Sequence, residues 1–205
     1  MLDPAVRPDR PLTDLLREAA GYGVLLFQYR DKQAAMKDAY LRALALRQAA
    51  TEVGALLIIN DRCDLALAVE ADGVHLGQED LPIAHARRLL GPDKIIGLST
   101  HTASQVGEAI IEKPDYIGFG PIFRTSTKAD HEPVVGLEGL RAVRLMTTLP
   151  MFAIGGVTPD SAGEMIAAGA DGVAVISAIL NAPDPGSAIR TFQQSLSSRD
   201  RREPG

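Results

Sequence analysis

Clusters of phosphate-seeking and metal-seeking residues recur along this 205-residue chain, each placed directly after an apolar run. Gln28-Tyr29-Arg30-Asp31-Lys32 follows Val24–Phe27, and Asn60-Asp61 follows Leu56–Ile59. Gly73–Leu76 leads through Gly77 to Gln78-Glu79-Asp80, and Ile95–Leu98 to Ser99-Thr100-His101. Tyr116–Phe119 precedes Thr125-Ser126-Thr127-Lys128, Met151–Ile154 precedes Gly155-Gly156, and Val173–Ile176 precedes Ser177. Gln28, Arg30 and Lys32 alternate, so in extended backbone they share one side. A guanidinium fork beside an ammonium point charge calls for an anion between them; the competing reading is a surface ion pair with Asp31. Asn60, Asp61 and Asp80 offer hard oxygen ligands of the kind Mg²⁺ takes alongside waters and substrate phosphates. Each Asp, taken singly, also reads as a helix cap, Asp61 before Arg62 and Asp80 before Leu81-Pro82. Taken with the cations, the pair favours a metal.

The second half of the chain carries donors for a smaller anion. Gly118-Phe119-Gly120-Pro121 opens a long loop, and the hydroxyls and ammonium of Thr125-Ser126-Thr127-Lys128 make a phosphate nest with the backbone N–H groups. Gly155-Gly156 permits close backbone approach to a ligand, ahead of a helix start at Val157-Thr158-Pro159, and Ile176-Ser177 repeats the arrangement. The inventory is one Mg²⁺-bound diphosphate and one monophosphate. Of the histidines, His101 can face the site, His75 reads as a hydrogen-bonded strand residue, and His85 and His131 as surface. None has a Ser or Cys partner at a recognisable spacing, so a hydrolase triad is not supported.

To bring these clusters to one end, the chain must be built of parallel strands. The apolar runs are continuous rather than alternating, as in strands buried on both faces, and amphipathic stretches separate them: Pro11–Ala20, Gln33–Val53, Asp64–Glu70, Ile83–Leu90, Ala103–Glu112, Leu137–Met146, Ser161–Ala168 and Ser187–Leu196. Uninterrupted βα order with chemistry at each strand's C-terminal end predicts an α/β fold, the TIM (β/α)₈ barrel. Only seven strands are evident. The first strand is expected to be truncated or missing at the N-terminus, where Met1-Leu2-Asp3 is its end. An open doubly wound sheet is the alternative, but it gathers its site at one switch point. We expect a single domain over residues 1–196 and a disordered tail over 197–205. The segments Ala71–Leu76 and Ala170–Val175 echo each other, which suggests either half-barrel duplication or a shared demand for Asp-Gly at helix-to-strand turns.

Composition narrows the class. Lys+Arg of 21 against Asp+Glu of 26 gives a net charge of −5, so nucleic acid is not an expected partner. No apolar run approaches the roughly 18 residues of a membrane span, and the N-terminus lacks a signal-peptide pattern. Membrane is therefore not an expected partner either. The single Cys63 fits a reducing cytoplasm and reads as a small buried hydrophobe.

The motifs QYRDK (28–32), IINDRCDLAL (58–67), ADGVHLGQEDLP (71–82), GLSTH (97–101), GFGPIFRTSTK (118–128), VVGLEGL (134–140), AIGG (153–156) and GADGVAVISAI (169–179) resemble those of thiamine-phosphate synthases, in order and with few gaps. The resemblance implies a transferase of thiamine biosynthesis that joins 4-amino-2-methyl-5-pyrimidinylmethyl diphosphate to 4-methyl-5-(2-phosphoethyl)thiazole, yielding thiamine monophosphate and pyrophosphate. Matched position by position, it implies that Gln28, Tyr29, Arg30, Asp31, Lys32, Asn60, Ser99 and Lys128 hold the pyrimidine diphosphate. Arg30, Lys32, Ser99 and Lys128 count as catalytic, and Asp61 and Asp80 hold one Mg²⁺ per subunit. Thr125, Ser126, Thr127, Gly156, Ile176 and Ser177 would hold the thiazole phosphate. Arg124 departs from the family's usual Pro and adds a cation. Residues 121–136, bounded by Gly120 and Gly136, have the length of a lid. The partners implied are these small molecules, and a homo-oligomer is left open. The rivals are a thiazole tautomerase, whose His position is Pro121 here, a non-catalytic thiamine-phosphate binder, and a generic phosphosugar isomerase, for which no base stands at a matching strand end.

Overall fold

The computed structural model describes residues 1–125 and 132–197. The chain divides into two compact units, residues 1–97 and 98–205. In the first, α1 (Leu12–Gly21) precedes β1 (Leu26–Tyr29), α2 (Met36–Glu52), β2 (Leu56–Asn60), α3 (Cys63–Ala68), β3 (Gly73–Leu76) and α4 (Ile83–Leu90). β4 (Ile95–Thr100) carries the chain into the second unit. There α5 (Ala103–Glu112), β5 (Tyr116–Phe119), α6 (Gly136–Arg144), β6 (Met151–Ile154), α7 (Pro159–Ala167), β7 (Gly172–Ala174), α8 (Ser177–Leu180) and α9 (Pro185–Ser197) follow. The seven strands form one sheet in chain order, and the fold is the α/β class of TIM-barrel type that the sequence predicts.

Within the first unit β1 pairs in parallel with β2, Leu26 opposite Leu56, and β2 with β3, Asn60 opposite His75. Within the second, β5 pairs with β6 and β6 with β7, again in parallel. All four residues of β3 are buried, which is why its sequence shows no polar alternation. α2 packs through Leu46 and four alanines, Ala39, Ala43, Ala49 and Ala50, whose small side chains admit close approach. The expected opening strand is a single bridged residue. Leu2 pairs in parallel with Tyr29, its N–H donating to the Gln28 carbonyl at 2.7 Å and its own carbonyl accepting from Arg30 N–H at 2.9 Å.

Several boundaries differ from expectation, and two of them bear on the site. β1 runs to Tyr29 rather than ending at Phe27, because Gln28 and Tyr29 share in the β2 pairing. β7 stops at Ala174, because Ile176 adopts φ −119°, ψ −86° to start the four-residue α8, an element absent from the sequence reading. Residues 198–205, and with them most of the expected tail, lie outside the described residues.

The echoing segments perform one structural job twice. Asp72 Oδ2 accepts from Leu57 N–H and from Arg47 Nη1, both at 2.7 Å. Asp171 Oδ2 accepts from Met151 N–H at 2.8 Å and Arg144 Nη1 at 3.0 Å. Each carboxylate thus satisfies the start of the preceding strand and anchors an arginine from the helix before it. The glycine that follows answers to packing rather than to a turn. A Cβ on Gly73 would lie 2.0 Å from the Ile95 carbonyl oxygen, and one on Gly172 2.8 Å from the Phe152 ring.

Candidate active site

The residues at the end of β1 and directly after it are held in several ways. Tyr29 is fully buried, and its hydroxyl donates to Asp31 Oδ2 at 3.1 Å. Burial first, then the charge and hydrogen bond of Asp31, push its phenol far above its usual range. Asp31 also accepts from Gln33 N–H, Ala34 N–H and Arg42 Nη1, the last at 2.7 Å. Burial opposes its ionisation, but these donors prevail and hold its carboxyl below the usual value. Arg30 Nη1 meets Asp3 Oδ2 at 2.6 Å, and Lys32 Nζ lies 3.6 Å from Asp61 Oδ2. The surface pairing of Arg30 or Lys32 with Asp31 does not form; Asp31 is taken by Arg42 instead. Gln28 Oε1 is buried without a hydrogen-bond partner among the described residues.

Neither Asp61 nor Asp80 caps a helix. α3 begins after Arg62 and α4 after Pro82, and neither has a side-chain cap. Asp61 sits instead at φ +65°, its N–H donating to the His75 carbonyl at 2.8 Å. Such a backbone is strained for a side chain other than Gly, Asn or Asp. Asp80 folds back so that Oδ2 accepts from Gly77 N–H at 2.7 Å. Burial and the neighbouring Asp80 charge push the Asp61 carboxyl up, with Lys32 opposing. Asn60 ends β2 and is buried. Among the described residues no cluster of three or more His, Cys, Asp or Glu is suited to a metal. Two carboxylates suffice for Mg²⁺, which draws its other ligands from water and phosphate. Cys63, directly behind this pair, is buried and its thiol is pushed up, chiefly by burial.

In the second unit, Ser99 and Thr100 are buried at the end of β4. Thr100 Oγ1 donates to the Gly118 carbonyl, and His101 Nδ1 lies 2.5 Å from the Gly120 carbonyl, so His101 is pinned to the next strand end. Gly120-Pro121 is a cis peptide. Beyond it, Ile122 N–H donates to the Ile154 carbonyl and Phe123 N–H to the Gly155 carbonyl, while Pro121 accepts from Val135 N–H. This contact explains the paired glycines in a way the sequence reading did not. Gly155 (φ +80°) and Gly156 (φ +65°) are crowded by the loop itself: a Cβ on Gly156 would stand 2.6 Å from that of Phe123. Their freedom admits the loop backbone, whatever ligand comes afterwards. Arg124 and Thr125 are exposed. Ser126, Thr127 and Lys128, with His131, lie outside the described residues. Thr158 and Ser161 form a capping box on α7, which already satisfies part of that helix's N-terminal N–H set. Ile176 and Ser177 lie at the start of α8, with Leu180 N–H donating to the Ile176 carbonyl.

Asp3 and Arg42 escaped the sequence reading. Arg42 lies within a long Ala/Leu-rich helix, and nothing in its spacing points back to Asp31. Asp3 could have been found only by asking what satisfies Arg30.

Parallel strands in βα order, with an acid–cation cluster at strand ends in the first unit and glycine-framed strand ends in the second, define an α/β enzyme of TIM-barrel type. Over residues 2–179 the sequence matches the family described as thiamine monophosphate synthase (TMP-TENI). It is 46% identical over 185 residues to the thiamine-phosphate synthase of Moorella thermoacetica, covering 90% of this chain and 88% of that one. The corresponding enzyme of Methanoculleus marisnigri is 42% identical over 196 residues, covering 96% and 93% of the two chains. Among solved structures, the thiamine phosphate pyrophosphorylase of Pyrococcus furiosus superposes with a TM-score of 0.84 at 39% identity, covering 92% of this chain and 91% of that one. The chain belongs to the thiamine monophosphate synthase family, and it is a transferase of thiamine biosynthesis. None of its described helices is long and apolar enough to cross a membrane.

Proposed function

We propose that this transferase condenses the aminopyrimidine methyl diphosphate with the thiazole phosphate, releasing thiamine monophosphate and pyrophosphate. The observation that carries the reading is the Asp61–Asp80 pair beside Lys32, in which Asp61 sits at φ +65°, caps no helix and is pushed toward its neutral form. Such an arrangement is unfavourable alone and fits a divalent cation. Asp61 and Asp80 would hold Mg²⁺, which supplies charge neutralisation to a diphosphate leaving group.

The chain's own residues then bind and orient. Gln28, Arg30, Lys32, Asn60, Ser99 and Lys128 receive the pyrimidine diphosphate, and Tyr29 and Asp31 fix the strap that presents Arg30 and Lys32. The buried acceptor of Gln28 is available to the aminopyrimidine. Because the aminopyrimidine ring delocalises positive charge at its exocyclic methylene, the C–O bond to diphosphate breaks with little push from a nucleophile. Arg30, Lys32 and Lys128 stabilise the charge on the departing group. The thiazole nitrogen, aligned by a phosphate held at Thr125, Ser126, Thr127, Gly156, Ile176 and Ser177, forms the new C–N bond. No protein nucleophile is required, and the buried Cys63 thiol with its raised pKa is unsuited to be one.

The test mixes purified protein with both substrates and Mg²⁺ and measures thiamine phosphate and pyrophosphate. Equal amounts of both should form only with Mg²⁺. Asp80→Ala and Lys128→Ala should each lower kcat/KM by at least about a hundredfold, the scale of losing one charge-stabilising group. Binding of both substrates without pyrophosphate release would instead identify a non-catalytic binder.

A further inference from the structure

We infer that Asp3 is a positioning residue for the reaction, fixing the plane of the Arg30 guanidinium so that its remaining donors meet the diphosphate. The inference rests on the synthase reading above. The Leu2–Tyr29 bridge brings the chain's first residues alongside β1, and Asp3 follows directly. Its side chain is 3% exposed and that of Arg30 12%. The two carboxylate oxygens are divided: Oδ1 accepts from Ala5 N–H at 3.0 Å, and Oδ2 from Arg30 Nη1 at 2.6 Å. The carboxylate is thus itself immobilised by backbone before it meets the arginine.

Arginine presents five donors in one plane, so pinning a single Nη1 orients the others. The adjacent Asp31 does not compete for it, being committed to Arg42, Tyr29 and two backbone N–H groups. Lys32 makes the contrast: its side chain is 53% exposed and only 3.6 Å from a carboxylate, a mobile charge rather than an oriented fork. A buried ion pair adds little to stability over a well-packed apolar pair. Geometric specification is the property such a pair supplies next to a planar, bidentate recognition task. The N-terminal segment therefore takes part in the site through Arg30.

Asp3→Asn is the discriminating substitution. It keeps the oxygen that accepts from Ala5 and sets an amide NH₂ against Arg30 Nη1, so the local turn survives while the pin is lost. We expect kcat/KM for the pyrimidine diphosphate to fall at least about tenfold with KM for the thiazole phosphate unchanged. Asp3→Glu should recover part of the loss. Affinity for magnesium pyrophosphate, measured by calorimetry, should fall in parallel, and in an Arg30→Ala background Asp3→Asn should change that affinity no further. Because pyrophosphate binding needs no turnover, an inactive wild-type protein would fail the synthase reading while leaving this comparison intact. Three results would overturn the positioning role: a folded Asp3→Asn protein with wild-type constants, an equal loss in both backgrounds, or failure of both Asp3 variants to fold.

Discussion

Asp31 and Asp61 carry the same group into opposite electrostatic situations. Asp31 is surrounded by four donors, and its carboxyl is held low. A group depressed on folding contributes stability above its unfolded pKa and loses it as pH falls through the folded value. Asp31→Asn should therefore destabilise the protein at neutral pH by about 1.5–3 kcal/mol, the scale of hydrogen bonds to a charged group, and the difference from wild type should shrink below about pH 4. Asp61 is raised by burial and by Asp80, so the sign reverses. Its ionised form costs stability, fully so only once pH has risen past the folded pKa. Asp61→Asn, which also tolerates φ +65°, should raise the melting temperature of metal-free protein at neutral pH while abolishing turnover. Thermal unfolding in chelator at pH 4 and pH 7 measures both. The contrast marks what was legible in sequence. Charges at strand ends were visible as a set, but which carboxylate is already satisfied depends on Arg42 and on the backbone of Gln33 and Ala34, and side-chain type does not encode that.

Strands read well from sequence because burial on both faces leaves β2 and β3 almost wholly apolar. Ends read less well: Gln28 and Tyr29 belong to β1 through pairing with β2, a long-range fact. The short α8 went unseen because four residues cannot show a helical period. The paired glycines were read for a ligand alone. Gly155-Gly156 suggested a ligand, whereas the neighbour that crowds them is the loop after β5. The twin Asp-Gly segments were noticed as an echo, and their shared role is now physical. In each, one carboxylate serves helix, strand start and turn. Removing it takes the acceptor from a strand N–H and the carboxylate from an arginine, although Arg144 keeps the Thr147 and Leu149 carbonyls, and the two sites differ in exposure. Asp72 is 22% exposed in its ion pair with Arg47, whereas Asp171 is 53% exposed in its pair with Arg144. Solvent offsets more of the loss at the second. Asp72→Ala should cost about 2 kcal/mol and Asp171→Ala about 1 kcal/mol, read as shifts in urea midpoint at constant m-value. Both should leave KM unchanged, since they lie at strand starts and the chemistry lies at strand ends.

For the molecule as a whole, the decisive element is β4. It begins in the first compact unit, where Ile95 N–H donates to the Asp72 carbonyl, and ends in the second, where the Thr100 carbonyl accepts from Gly120 N–H. Six residues of one strand are thus shared, and no linker rich in Gly, Pro or charge intervenes between Ile95 and Thr100. Independent domains are joined where few contacts cross and the chain is exposed; here the join is a strand whose last five residues are buried. β4 spans the boundary with three residues in each unit, and Ile96 and Leu98 on its two sides are buried. We therefore expect a single unfolding transition, with calorimetric and van't Hoff enthalpies in agreement, in keeping with one domain over residues 1–196. Asp72→Ala and Asp171→Ala offer the sharper form of the test, because each weakens one unit only. If the units unfold together, both substitutions move the same single transition and neither splits it. Two separated transitions, one displaced by Asp72→Ala and the other by Asp171→Ala, would instead show that each unit folds on its own.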